Sequence, residues 1–251
     1  MKDVKGKTAF ITGGASGIGL GIAKAFYNAG SNLVLADVRE DHLKSAEDLF
    51  NDPDRVLCLK LDVTDRAAYA EAAKKAEAKF GKIHMLFNNA GMGVGGPLKS
   101  LGFDDWDWGL GVMIGGVING IQIILPYIRK HGEGGHIVNT ASKAALVPVT
   151  AFSIYGTAKA ALSFLTGELA QDFAPKIRVN GIAVGSIRTA SSRHRRAPAA
   201  SPDRRRASAS SDRKSGTSVR RAASRRRMAS SGLPVESSAT AISNSDSPVP
   251  R

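Results

Sequence analysis

The fold class this sequence predicts is α/β, a doubly wound parallel sheet in a single domain, and three observations predict it. Short apolar runs alternate with helical patterns over residues 7–189, which is how strands joined by crossover helices read. A glycine-rich stretch, "TGGASGIG" (12–19), stands where the first strand gives way to the first helix. The apolar pattern then stops: residues 190–251 hold 16 Ser and 13 Arg and no Phe, Trp or Tyr. That composition buries too little apolar area to offset chain entropy. The expected organisation is a folded domain over 1–189 and a disordered Arg/Ser/Ala-rich tail over 190–251.

The elements follow in order. "TAFIT" (8–12) and "NLVLA" (32–36) read as buried strands, and between them Ile18, Ile22, Ala25, Phe26 and Ala29 recur at helical spacing up to Gly30. "VLCLKL" (56–61) is a third strand, followed by an Ala/Lys/Glu helix over 66–80. "IHMLFN" (83–88) is a fourth, and a long helix spans 104–131. "GHIVNTA" (135–141) and "IRVNGIAV" (177–184) are the fifth and sixth, separated by a helix over 153–173. Right-handed crossovers place helices on both faces of such a sheet. Residues 109–128 carry no charge and are long enough to cross a membrane. Their five Gly with Asn119, Gln122 and Pro126 favour a closely packed core helix instead. No apolar run follows the basic start "MKDVKGKTAF", so no secretory signal is expected. The one cysteine, Cys58, lies in a strand and suits a reducing compartment; a cytoplasmic protein is expected.

The net charge of +13 is misleading. The tail holds 13 Arg and one Lys against four acidic residues, leaving +3 for residues 1–189. The high isoelectric point therefore says little about what the folded part binds.

Chemistry begins at the glycine-rich loop. Gly13 permits a tight turn, Gly17 permits close backbone approach to a pyrophosphate, and Gly19 lets helix pack on sheet; the helix N-terminus then offers free N–H groups to the phosphates. Ser16 and Ile18 belong to the same cradle. Asp37 ends the second strand 18 residues after Gly19, where an acid accepts from the ribose hydroxyls and repels a 2′-phosphate. Positions 16 and 38, where basic partners of a 2′-phosphate would stand, are Ser and Val; Arg39 is the one nearby cation. NAD is the expected cofactor, and no metal is called for.

"YGTAK" sets Tyr155 and Lys159 four residues apart, on one face of a helix. A phenol is a poor base at neutral pH, and an ammonium one turn away favours its phenolate form. Ser142 ends the fifth strand, where its hydroxyl could hold a substrate oxygen.

"TGGASGIG", "LDV" (61–63), "NNAG" (88–91), "IVNTAS" (137–142) and "YGTAK" (155–159) occur in the order and spacing of the short-chain dehydrogenase/reductases, which residues 5–189 resemble. Within that family, "GGASGIGLGIAKAF", "LADVREDHL" and "GGHIVNTAS" look most like the bacterial Cα-dehydrogenases of lignin-derived aryl ethers. The resemblance implies a Rossmann fold, with Asp62 and Val63 against the adenine and Asn89, Ala90 and Gly91 along the cofactor. It implies Tyr155 as general acid/base, Lys159 on the nicotinamide ribose, and Ser142 orienting the carbonyl or alcohol. "VGSIRT" (184–189) matches the segment that contacts the nicotinamide end, which adds Gly185, Ile187 and Thr189. In that family helices corresponding to 104–131 and 153–173 form one interface between copies, and C-terminal elements not recognisable in this chain form another. A homo-oligomer is therefore expected were the C-terminus intact, and the oligomeric state of the chain as written stays open.

Two departures stand out. The family pattern has an asparagine where this chain has Met113, and there it bends the helix and holds a water of the proton relay. Asn119, six residues on, points about 240° around the helix and does not replace it. After residue 189 the family's substrate-covering segment, a further helix and a seventh strand are not recognisable. An out-of-frame stretch is the favoured reading of the tail; a solvated extension and a nucleic-acid arm rank below it, since no aromatic is interleaved for base stacking. The expected activity is NAD-dependent interconversion of a secondary alcohol and a ketone, impaired by Met113 and the missing lid. No specific nucleic acid and no membrane are expected as partners. The competing class is a non-catalytic nucleotide-binding protein whose basic tail contacts polyanions.

Overall fold

Successive side chains point to opposite faces of one sheet, and because helices cover both faces the central strands are buried at nearly every position. The computed structural model describes residues 3–185. Its strands are β1 (Thr8–Thr12), β2 (Asn32–Asp37), β3 (Val56–Lys60), β4 (Met85–Asn88), β5 (Gly135–Ser142) and β6 (Ile177–Val184), all parallel, in the order β3-β2-β1-β4-β5-β6. This is the doubly wound arrangement, and the sheet reverses direction of winding between β1 and β4. Phe10, Val34, Leu86 and Ile137 face one layer, built from α3 (Arg66–Phe80), α5 (Gly116–Lys130) and α6 (Ser153–Phe173). Ile11, Leu33, Leu35, Phe87 and Val138 face the other, against α1 (Gly17–Asn28) and α2 (Glu40–Phe50). The sequence pattern singles out no helix for α2; the structure supplies one.

The long helix expected over 104–131 is present in three parts: α4 (Phe103–Leu110), a π turn (Gly111–Gly115) and α5. The stretch is long and apolar enough to cross a membrane, but Val117, Ile121, Ile124 and Ile128 are buried in the core. That is a core helix.

A buried polar chain crosses the sheet. Asn88 and Asn139 are directly paired in register; Asn88 Nδ2 donates to Asn139 Oδ1 at 2.9 Å, and Asn139 Nδ2 donates to Thr166 Oγ1 at 2.9 Å. The Thr166 hydroxyl in turn donates to Leu162 O at 2.7 Å. Every member is buried and partnered, as such groups must be.

At the opposite end of the strands, His84 is buried. Its Nδ1 accepts the Thr8 N–H at 3.1 Å, its Nε2 lies 3.3 Å from Glu133 Oε2, and the His131 ring is 4.6 Å away between centroids. Glu133 is also paired with Lys7 and Lys82. Burial above all, then His131 and Lys7, pushes the His84 pKa down to about 4. The unfolded chain takes up that proton near its ordinary value of about 6.5, so the neutral ring stabilises the fold above that pH and loses its contribution as pH falls toward 4. The urea midpoint should fall over this window, and His84→Gln should flatten the fall. Equal slopes in both proteins would remove His84 from the account.

Candidate functional site

A cleft of about 500 Å³ opens at the C-terminal ends of β1, β2 and β4, within the range of small-molecule sites. Gly13, Ser16, Gly17 and Ile18 form one wall; Asp37 and Arg39 form the far end; Asp62, Val63, Asn89, Ala90 and Gly91 complete it. Gly13 (φ +59°) and Gly17 (φ +52°) sit in the left-handed region, which a side chain would strain. Gly19 does not line the cleft. A Cβ there would lie 2.0 Å from Gly13 O and 2.7 Å from Asn89 Nδ2, so the contact it avoids is with the loop itself more than with the sheet. Thr12 ties the loop down: its Oγ1 accepts the N–H groups of Asn89 and Ala90, both at 3.0 Å, and Asn89 Nδ2 returns a bond to Thr12 O at 3.0 Å. The first turn of α1 has no side-chain cap, which leaves N–H donors for a phosphate. These features fit a dinucleotide.

Asp37 is buried at the end of β2, and its Oδ1 accepts the Arg39 N–H at 3.1 Å. Arg39 folds onto Asp41: Nε donates to Oδ1 at 3.0 Å and Nη2 to Oδ2.

Beyond the cleft, α6 brings Tyr155 and Lys159 together, with Lys159 Nζ 5.7 Å from the centre of the Tyr155 ring. Lys159 is buried and donates to Thr140 O at 2.6 Å. Burial draws its pKa down to about 8, so the ammonium form persists at neutral pH. A Cβ on Gly91 would lie 3.7 Å from Lys159 Nζ, and that neighbour joins the cleft to this group. Ser142 is buried at the end of β5; its Oγ accepts the Ala144 N–H at 3.1 Å, which leaves its own proton to donate. Gly185 follows β6 and is absent from the cleft wall. Ile187, Thr189 and the tail over 190–251 lie outside the described residues.

Met113 is fully buried with Val94, Ile154 and Ala158. It stands inside the π turn, so the helix widens there without an asparagine. Its thioether has no proton to donate. Asn119 points elsewhere: Nδ2 donates to Val63 O at 2.9 Å, and Oδ1 accepts from Arg66 Nε at 3.0 Å. Val38, His42, Met92, Trp108 and Val112 also line the cleft, and no motif marks them; Leu61, which opens the "LDV" motif, lines it too. Val38 and Leu61 flank the two acids and are open to inference from that position; Trp108 and Val112 come from a helix remote in sequence.

A family model described as short chain dehydrogenase matches residues 7–200. C alpha-dehydrogenase of Sphingobium sp. (strain SYK-6) is 42% identical over 163 residues, which cover 64% of this chain and 53% of that protein; the chain thus spans about half the length of that relative. Oxidoreductase UcpA of Escherichia coli (strain K12) is 36% identical over 190 residues, covering 75% of this chain and 72% of UcpA. Among solved structures, the apo form of LigO from Sphingobium sp. strain SYK-6 superposes with a TM-score of 0.71 at 41% identity, covering 74% of this chain and 70% of that one. A short chain dehydrogenase/reductase from Burkholderia phymatum in complex with NAD gives 0.73 at 35% identity, covering 78% and 72%. The loop, the parallel sheet and these matches agree: this chain belongs to the short chain dehydrogenase family, whose members are oxidoreductases that use NAD(P).

Proposed function

We propose that the chain interconverts a secondary alcohol and a ketone with NAD(H), using Tyr155 as acid/base within a catalytic domain over 1–189 and leaving 190–251 outside the chemistry. The observation that carries this reading is the pairing of Tyr155 with a buried, charged Lys159 beside Gly91 of the cleft. A bound nicotinamide would accept or return the hydride. Tyr155 takes the proton from the alcohol oxygen, or returns it to the ketone. Lys159 favours the phenolate while it does so, and Ser142 donates its free hydroxyl proton to the substrate oxygen. The exposed rings of Phe103 and Phe164 support association with a second copy along α4–α6. NAD⁺ reduction in the presence of secondary aryl alcohols tests the reading; binding of NAD(H) without turnover of any secondary alcohol or ketone would instead favour a binding protein.

Cofactor choice follows from Asp37. NAD(H) should bind more tightly than NADP(H), and Asp37→Ala should narrow the gap by removing a carboxylate that repels the 2′-phosphate. Titration of both nucleotides checks this, and equal affinities in the unmutated protein would defeat it.

A further inference from the structure

One cation lines the adenosine end of the cleft and a second stands on the neighbouring strand beside Asp37; each is paired with an acid. Arg39 lines the cleft and is forked by Asp41. Lys60 ends β3 directly opposite Asp37 in the ladder and is paired with Glu40. Both acids belong to the first turn of α2. There they also suit the helix dipole, but that role needs no particular partner, whereas here Asp41 holds Arg39 of the cleft wall and Glu40 holds Lys60 opposite Asp37. We propose that Glu40 and Asp41 select the cofactor by withholding Lys60 and Arg39 from the 2′ position, so that a 2′-phosphate meets carboxylate with no cation to receive it.

The inference rests on the nucleotide occupying the cleft as proposed above, with its adenosine ribose at Asp37. A guanidinium is the natural partner of a 2′-phosphate. In this chain Asp41 already fills its fork, and Asp37, Glu40 and Asp41 outnumber Arg39 and Lys60. All four members of the two pairs are more than half exposed, so each pair contributes little to stability and can be removed without unfolding the protein. Asp37 therefore acts as the first barrier and the α2 turn as the second.

The experiment measures Kd for NAD⁺ and NADP⁺ at low salt in the full chain, in Asp41→Asn, in Asp37→Ala, and in Asp41→Asn combined with Arg39→Ala. Asp41→Asn should lower the NADP⁺/NAD⁺ ratio of Kd values about tenfold, the scale of one added charge-assisted hydrogen bond to the phosphate. The effect should shrink at high salt, where exposed pairs are screened, and vanish when Arg39 is also removed. Glu40→Gln should give a smaller shift in the same direction. An unchanged ratio in Asp41→Asn, with Asp37→Ala still narrowing it, would overturn the proposal and leave Asp37 as sole selector. A lowered ratio that survives removal of Arg39 would overturn it too, since Asp41 would then act by its own charge. Failure of either nucleotide to bind the unmutated chain would instead strike the reading of the cleft itself.

Discussion

Tyr155→Phe is expected to lower kcat by about 10²–10⁴, the usual contribution of a positioned acid/base, and to leave NAD(H) affinity nearly unchanged. The ring is retained, so its edge-on contact with Phe152, 6.0 Å between centroids, and its place beside Lys159 persist. Only the transferable proton is lost. Steady-state rates with a secondary alcohol, beside a nucleotide titration, separate the two effects. A loss below tenfold would mean that another group moves the proton.

Gly19→Ala should weaken nucleotide binding roughly 10–100-fold and lower the melting temperature, because a Cβ at this position collides with Gly13 O. Relieving that overlap moves the loop that Asn89 holds through Thr12 O and Gly13 O, and overpacking of this kind costs about 1–3 kcal/mol. Gly21→Ala, nearer the middle of α1, is the control: nothing lies within 4 Å of a Cβ there, and alanine is the better helix former. It should be neutral or stabilising. Equal losses in both variants would refute the steric argument.

Those parts of the fold with local marks were legible. The helix over 66–80 begins at Asp65, whose carboxylate accepts the Ala68 N–H, and ends at Gly81 with φ +74°; both caps are visible in sequence. The fourth strand begins two residues later than its apolar run, because Ile83 and His84 are buried by neighbours while ladder pairing with β1 begins at Met85. The π turn carries no local mark and arises where Met113 packs between Val94 and α6. In the site, the glycine loop, Asp37 and the Tyr155–Lys159 pair could be read from spacing. Arg39 could be read only as a cation; that Asp41 occupies it depends on side-chain conformation at a helix start.

The amide pair of Asn88 and Asn139 has a consequence for assembly. A parallel strand that slides by two residues keeps its apolar side chains on their proper faces, so a greasy sheet punishes that error weakly. Here the slide would set each amide opposite an apolar side chain and strand it without water, at about 1–3 kcal/mol apiece. Misaligned sheets are thereby raised above the native one, and the pair acts as a proofreading mark for strand alignment. Asn89 follows Asn88 and Thr140 follows Asn139, so the same mark sets the height at which the phosphate loop and Lys159 meet before any nucleotide arrives.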